Sequence, residues 1–139
     1  MEEQPAPVLA PGLTARVELA VGDSDTAQAL GSGDVPVLAT PRVLALAETA
    51  TVAATARQMP SGMTTVGVRV ELAHLAATPI GRTVAAQATL AEVDARRLVF
   101  EVHVTEVADV PYEQRRVVAE GRVERMLVDR QRFLSKAFD

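Results

Sequence analysis

Apolar and polar residues alternate along five stretches of this chain and crowd together along one. Residues 13 to 21 (LTARVELAV) switch at nearly every step, the period of a strand with one buried face. The same period returns from Thr64 to His74. It returns again from Gly81 to Val93, with Val84, Ala86, Ala88 and Leu90 on one face. Arg97 to Val107 aligns Leu98, Phe100, Val102 and Val104, and Arg115 to Asp129 aligns Ala119, Gly121, Val123, Arg125 and Leu127. Pro41 to Arg57 has neither alternation nor a polar side: Val43, Leu44, Leu46, Ala47, Ala50, Val52, Ala53 and Ala54 leave it apolar in every direction. That predicts a helix buried all round. Thr40 reads as its N-cap, Pro41 as the first helical residue, whose missing N–H costs nothing there. Gln58-Met59-Pro60-Ser61-Gly62 ends it. Thr26 to Leu38, with Gly31-Ser32-Gly33-Asp34 inside it, reads as a loop or lid over whatever the domain binds.

Strand, apolar helix, four strands is the order of an α+β domain in which one curved antiparallel five-stranded sheet wraps one central helix. The joins at 76–81, 94–96 and 108–112 are short, which favours antiparallel neighbours. Such a sheet leaves an edge and an apolar flank, and a homodimer, with a tetramer as a further step, covers them. The 139 residues suit one domain, assigned to 11–139, with residues 1–10 a flexible tail. Three Phe, one Tyr and no Trp mean a fine-grained core of Val, Ala and Leu. A net charge of −4 argues against a nucleic-acid partner, and no apolar run reaches the roughly 18 residues of a membrane helix. The acidic start, Met-Glu-Glu-Gln-Pro-Ala-Pro, is unlike a signal peptide, so a cytoplasmic location is expected. Without cysteine there is no disulfide or thiolate chemistry.

Against this background Glu48 stands out. It is the only carboxylate between Val35 and Val70, and a lone buried carboxylate is costly without partners. One reading is an ion pair; Arg42 and Arg57 are poorly spaced for it, whereas Arg125, on the inward face of the last strand, is a candidate. The other reading is chemical. Thr40 stands where a helix start offers free N–H groups and partial positive charge to an oxyanion, although capping alone also explains a threonine there. Glu48 follows eight residues later, within roughly 80° of the same direction and about 12 Å further along the axis, so both can line one elongated cavity. His74 ends a strand, while His103 sits on a polar face with Glu101 and Thr105 and reads as solvated. No His-x-x-x-His pair or phosphate loop is present, so no metal site is expected.

The segments Ala39-Thr40-Pro41, Leu46-Ala47-Glu48 and Val70-Glu71-Leu72-Ala73-His74-Leu75-Ala76-Ala77-Thr78-Pro79-Ile80-Gly81 resemble the fluoroacetyl-CoA-thioesterase-like branch of the hot-dog-fold acyl-CoA thioesterases. So do Arg96-Arg97-Leu98 and Gly121-Arg122-Val123-Glu124-Arg125. The resemblance runs from about residue 13 to 134. It implies a hot-dog homodimer with sites near the subunit interface, and hydrolysis of an acyl-CoA thioester by Thr40, Glu48 and His74 acting together. Gly67 and Arg125 would line the acyl pocket, and coenzyme A enters as part of the substrate, with no separate cofactor. Members specific for fluoroacetate carry phenylalanines in the lid; here Gly31 to Val37 has no aromatic residue. Two other activities fit the same features: an acyl-CoA hydratase or dehydratase, told apart by loss of enoyl absorbance without thiol release, and a non-catalytic acyl-CoA carrier, told apart by binding without turnover. A structural dimer in which Glu48 merely ties the helix to Arg125 is the plainest alternative.

Overall fold

The computed structural model describes residues 9–138. Five strands, β1 (Thr14–Ala20), β2 (Met63–His74), β3 (Thr83–Asp94), β4 (Arg97–Glu106) and β5 (Val117–Asp129), form one antiparallel sheet in the order β1-β3-β4-β5-β2. Between β1 and β2 come a single helical turn, α1 (Ala27–Leu30), and the long helix α2 (Thr40–Thr55); α3 (Arg130–Ala137) follows β5 directly. Helix α2 lies across the sheet and touches all five strands, the hot-dog arrangement. The tail expected over residues 1–10 falls mostly outside the described residues, and Leu9 packs against the core.

Period-two alternation places the core as read. Val84, Ala86, Ala88 and Leu90 of β3, Leu98, Phe100, Val102 and Val104 of β4, and Ala119 and Val123 of β5 meet Val43, Leu46, Ala47 and Ala50 of α2. Alanines on both sides of this contact let the helix axis approach the sheet closely, and Phe100 is the one aromatic side chain in the buried cluster. Burial of a Val or Leu side chain stabilises by roughly 1.5–3 kcal/mol, so this layer carries most of the driving force.

Two expectations need correction. Helix α2 is not buried all round. Its buried residues, Val43, Leu46, Ala47, Ala50, Thr51, Ala54 and Thr55, follow one stripe at the helical period, and Ala45, Val52 and Ala53 face outward. One sheet covers one side, so an apolar flank stays open on the single chain. Nor does the short join 75–82 make β2 and β3 neighbours, since they are separated by β4 and β5. Its polar groups go elsewhere: Leu75 and Ala76 N–H donate to Val118, Thr78 C=O accepts from Leu38, and Gly81 N–H donates to Val21. With no hairpin ladder to hold it, the join crosses the end of the sheet. Helix α3 lies beyond the last alternating stretch; it starts where the Asp129 side chain accepts from Arg132 N–H at 3.0 Å, a capping interaction. No helix among the described residues is long and apolar enough to cross a membrane.

Gly121 sits in register between Leu72 of β2 and Val102 of β4, where a Cβ would overlap the Glu71 carbonyl. Gly121→Ala is expected to cost at least about 3 kcal/mol, read as loss of the cooperative transition in denaturant. On the outer side, Arg97 donates to Glu124 at 2.6 Å and holds that carboxyl below its usual value. The carboxylate therefore favours the folded state above the unfolded pKa, and this contribution fades as pH falls through the lower folded one. The Tm gap between the parent and Glu124→Gln should narrow as the buffer is taken from neutral to below about pH 4.

Candidate functional site

Two polar contacts interrupt the apolar layer. At the start of α2 the Thr40 Oγ1 lies 2.7 Å from His74 Nδ1. Thr40 is not the cap expected: Ala39 holds that position, with no side-chain hydrogen bond, and the helix begins at Thr40 itself. The shift of one residue frees the hydroxyl from the backbone and turns it to the imidazole. Arg42 and Val43 N–H both donate to Ala39 C=O, and Pro41 has no N–H, which leaves the Thr40 N–H as the open donor of the first turn. His74 is set by the other side of the contact. It is the last residue of β2, paired with Ala119, and the next two N–H groups are taken by Val118. Its Nε2 is enclosed and has no protein partner among the described residues.

The second contact lies further along α2. Glu48 Oε2 accepts from Arg125 Nη1 at 2.9 Å. Of the two, the arginine is the buried partner: its side chain is 8% exposed against 33% for the glutamate. Arg125 also donates through Nε to Thr65 Oγ1 and through Nη2 to Thr65 C=O, both at 3.0 Å. The ion pair anticipated for Glu48 is therefore present, and the carboxylate is less buried than its apolar surroundings predicted. Gly67 lies directly opposite Arg125, where the ladder slips between Gly67 and Arg69. A Cβ on Gly67 would come within 2.6 Å of Glu48 Oε2 and 3.3 Å of Arg125 Nη1. Only a glycine lets the carboxylate rest against β2.

The elongated cavity expected to be lined by both Thr40 and Glu48 does not form within one chain. A cavity of about 360 Å³ opens beside Thr40 and His74, walled by the lid (Ser32, Gly33, Asp34, Val35, Val37) and by Leu75 to Ala77. Glu48 and Arg125 do not line it, and eight residues of α2, about 12 Å of rise, separate the two contacts. The lid is fastened rather than loose. Thr26 bridges to Leu38, Val37 to Pro79, and Arg42 Nε donates to Asp25 Oδ1 at 2.9 Å. Sequence reading missed Thr65 and Asp25. Thr65 carries a signal after the fact, because it lies two residues before Gly67 and shares its face; Asp25 carries none, since its partner is 17 residues away in a different element.

The sheet wrapped around one helix is a fold with solved members. The fluoroacetyl-CoA thioesterase FlK superposes with a TM-score of 0.81 at 27% identity, covering 94% of this chain and 96% of that one. A threonine-to-serine variant of FlK in complex with acetyl-CoA gives 0.82 at 26% identity, with 93% and 96% covered. A Thermus thermophilus protein described as a thioesterase superfamily member gives 0.79 at 23%, with 96% and 91% covered, a likeness of fold. Comparison with curated proteins by sequence finds no match. The protein is a thioester hydrolase of the hot-dog class. Residues 21–131 match the model of the fluoroacetyl-CoA-specific thioesterases, and the chain belongs to that family.

Gly67→Ala should push the Glu48 carboxylate off Arg125. The expected cost is roughly 1–3 kcal/mol, seen as a lowered Tm, and a variant as stable as the parent would show that the close approach is not needed.

Proposed function

We propose that this chain hydrolyses short-chain acyl-CoA thioesters to the free acid and CoA, as a homodimer in which Thr40, Glu48 and His74 carry the reaction and Gly67 and Arg125 line the acyl pocket. The observation behind this reading is the 2.7 Å contact of Thr40 with His74 at a helix start that opens on a cavity. A thioester carbonyl set against the Thr40 N–H and hydroxyl is polarised, and charge developing on its oxygen faces the positive end of α2. His74 orients the hydroxyl through Nδ1 and carries the proton that the leaving thiolate needs. Glu48 supplies the attack, as base toward water or as nucleophile toward the carbonyl. Either way the C–S bond breaks, one water is consumed, and acid and thiol are released.

The dimer follows from what the single chain leaves open. β2 is an edge strand with Val68 53% exposed, and Val52 of α2 is 47% exposed. An isologous pairing of two β2 edges about a two-fold axis is antiparallel. If it runs the full length of the strand, His74 of one protomer lies opposite Met63 of its partner. About 14 Å of strand then separate His74 from the partner's Gly67, against about 24 Å within one chain. The carboxylate resting on Gly67 thus serves the Thr40–His74 pair of the other protomer.

Thiol release measured across acyl-CoAs from acetyl to phenylacetyl, with haloacetyl included, tests the activity and the acyl preference together. Glu48→Gln and His74→Asn are each expected to lower kcat by about 10² to 10⁴ with the fold retained. Undiminished turnover in a folded Glu48→Gln protein would end this assignment.

A further inference from the structure

A second cavity, of about 630 Å³, lies at the opposite end of β2 from His74, between the start of that strand, the β3–β4 turn and α3. Its walls have two characters. Met63, Val128 and Phe133 give an apolar side, and Arg96, Arg132 and Lys136 give a cationic one. Asp129, the carboxylate among the lining residues, is occupied in capping α3. The charge is out of keeping with the chain, whose net is −4. Half of the 14 cations sit in ion pairs among the described residues. Four of the others, Arg96, Arg130, Arg132 and Lys136, gather at this one end. From Arg130 to Ala137 the helix has three cations and no acid. Phe133, 40% exposed, offers a flat apolar surface next to that charge.

We infer that this α3 cavity binds the nucleotide end of the thioester substrate, an adenosine carrying a diphosphate and a separate phosphate. Arg96, Arg132 and Lys136 hold the phosphates and Phe133 takes the base. The chemistry fits each wall: guanidinium groups match phosphate oxygens with paired donors, and an aromatic face next to cations suits a purine. The position fits as well. Val128 is three residues along β5 from Arg125, and Met63 four along β2 from Gly67, about 10–14 Å of strand, the scale of a pantetheine arm. This assignment rests on the CoA-ester reading above and extends it by naming where the nucleotide sits. A product would be held by the same contacts as the substrate, so the cavity contributes to binding and not to the chemical step.

The test compares two substrates and one ligand. The double variant Arg132→Gln/Lys136→Gln is set beside a charge-matched control, Arg16→Gln/Arg82→Gln, on the β1–β3 side of the sheet, away from the β2 edge. With an acyl-CoA, the α3 variant should raise KM about tenfold or more at unchanged kcat. The corresponding acyl-pantetheine, which lacks the nucleotide, should be hydrolysed equally by parent and variant. Calorimetry with adenosine 3′,5′-bisphosphate should show binding to the parent and the control, and loss of binding in the α3 variant. An unchanged KM for acyl-CoA, or an equal loss with acyl-pantetheine or in the control, overturns the assignment while leaving the hydrolase reading intact. Should the parent cleave no CoA thioester yet bind the bisphosphate through α3, the nucleotide site stands and the proposed substrate falls.

Discussion

The Arg125 guanidinium is almost wholly removed from water, a situation that is tolerated only when its donors find oxygen. Glu48 and both oxygens of Thr65 provide it. That requirement ties three elements together: α2 through the glutamate, β2 through the threonine, and β5 through the arginine itself. The register of β2 on β5 is thereby coupled to the height of the helix over the sheet. The irregularity between Gly67 and Arg69 is the local adjustment that makes room for the carboxylate, and the missing Cβ completes it. Apolar contact alone would let the alanine-rich helix slide; a charged anchor removes that freedom.

The second polar contact has the opposite character. Thr40 and His74 belong to element ends, one at the first residue of a helix and the other at the last of a strand, and both line a cavity. Helix α2 thus makes a buried ionic contact midway along its length and a contact beside an open cavity at its start.

Much of this was visible in the chain because the relevant signals are local. Alternation located all five strands within two residues or so, and the inward face of β5 correctly included Arg125 despite the neighbouring Arg122 and Glu124. The placement of Thr40 beside His74 could not come from spacing, since it depends on a 34-residue excursion through β2; there the resemblance supplied what periodicity lacked. Errors arose where the deciding partner is distant. Helix α2 looked buried on every side because its own composition does not reveal that the sheet covers one face. The β2–β3 join looked like a hairpin because its length does not reveal that Leu38, Val118 and Val21 claim its hydrogen bonds. Thr40 looked like a cap because a threonine before proline usually is one, and the imidazole that competes for its hydroxyl is far along the chain.

The segment over the Thr40–His74 cavity is pinned at both ends, by Asp25 on Arg42 and by the pairings of Leu38 and Val37. Between those ends Ser32 N–H donates to Ala27 C=O and Val35 C=O accepts from Gln28 N–H, so the tip is tied back to α1 as well. A strap held at so many points does not swing as a door. The width of the cavity beneath it is set by the bulk of the side chains that wall it.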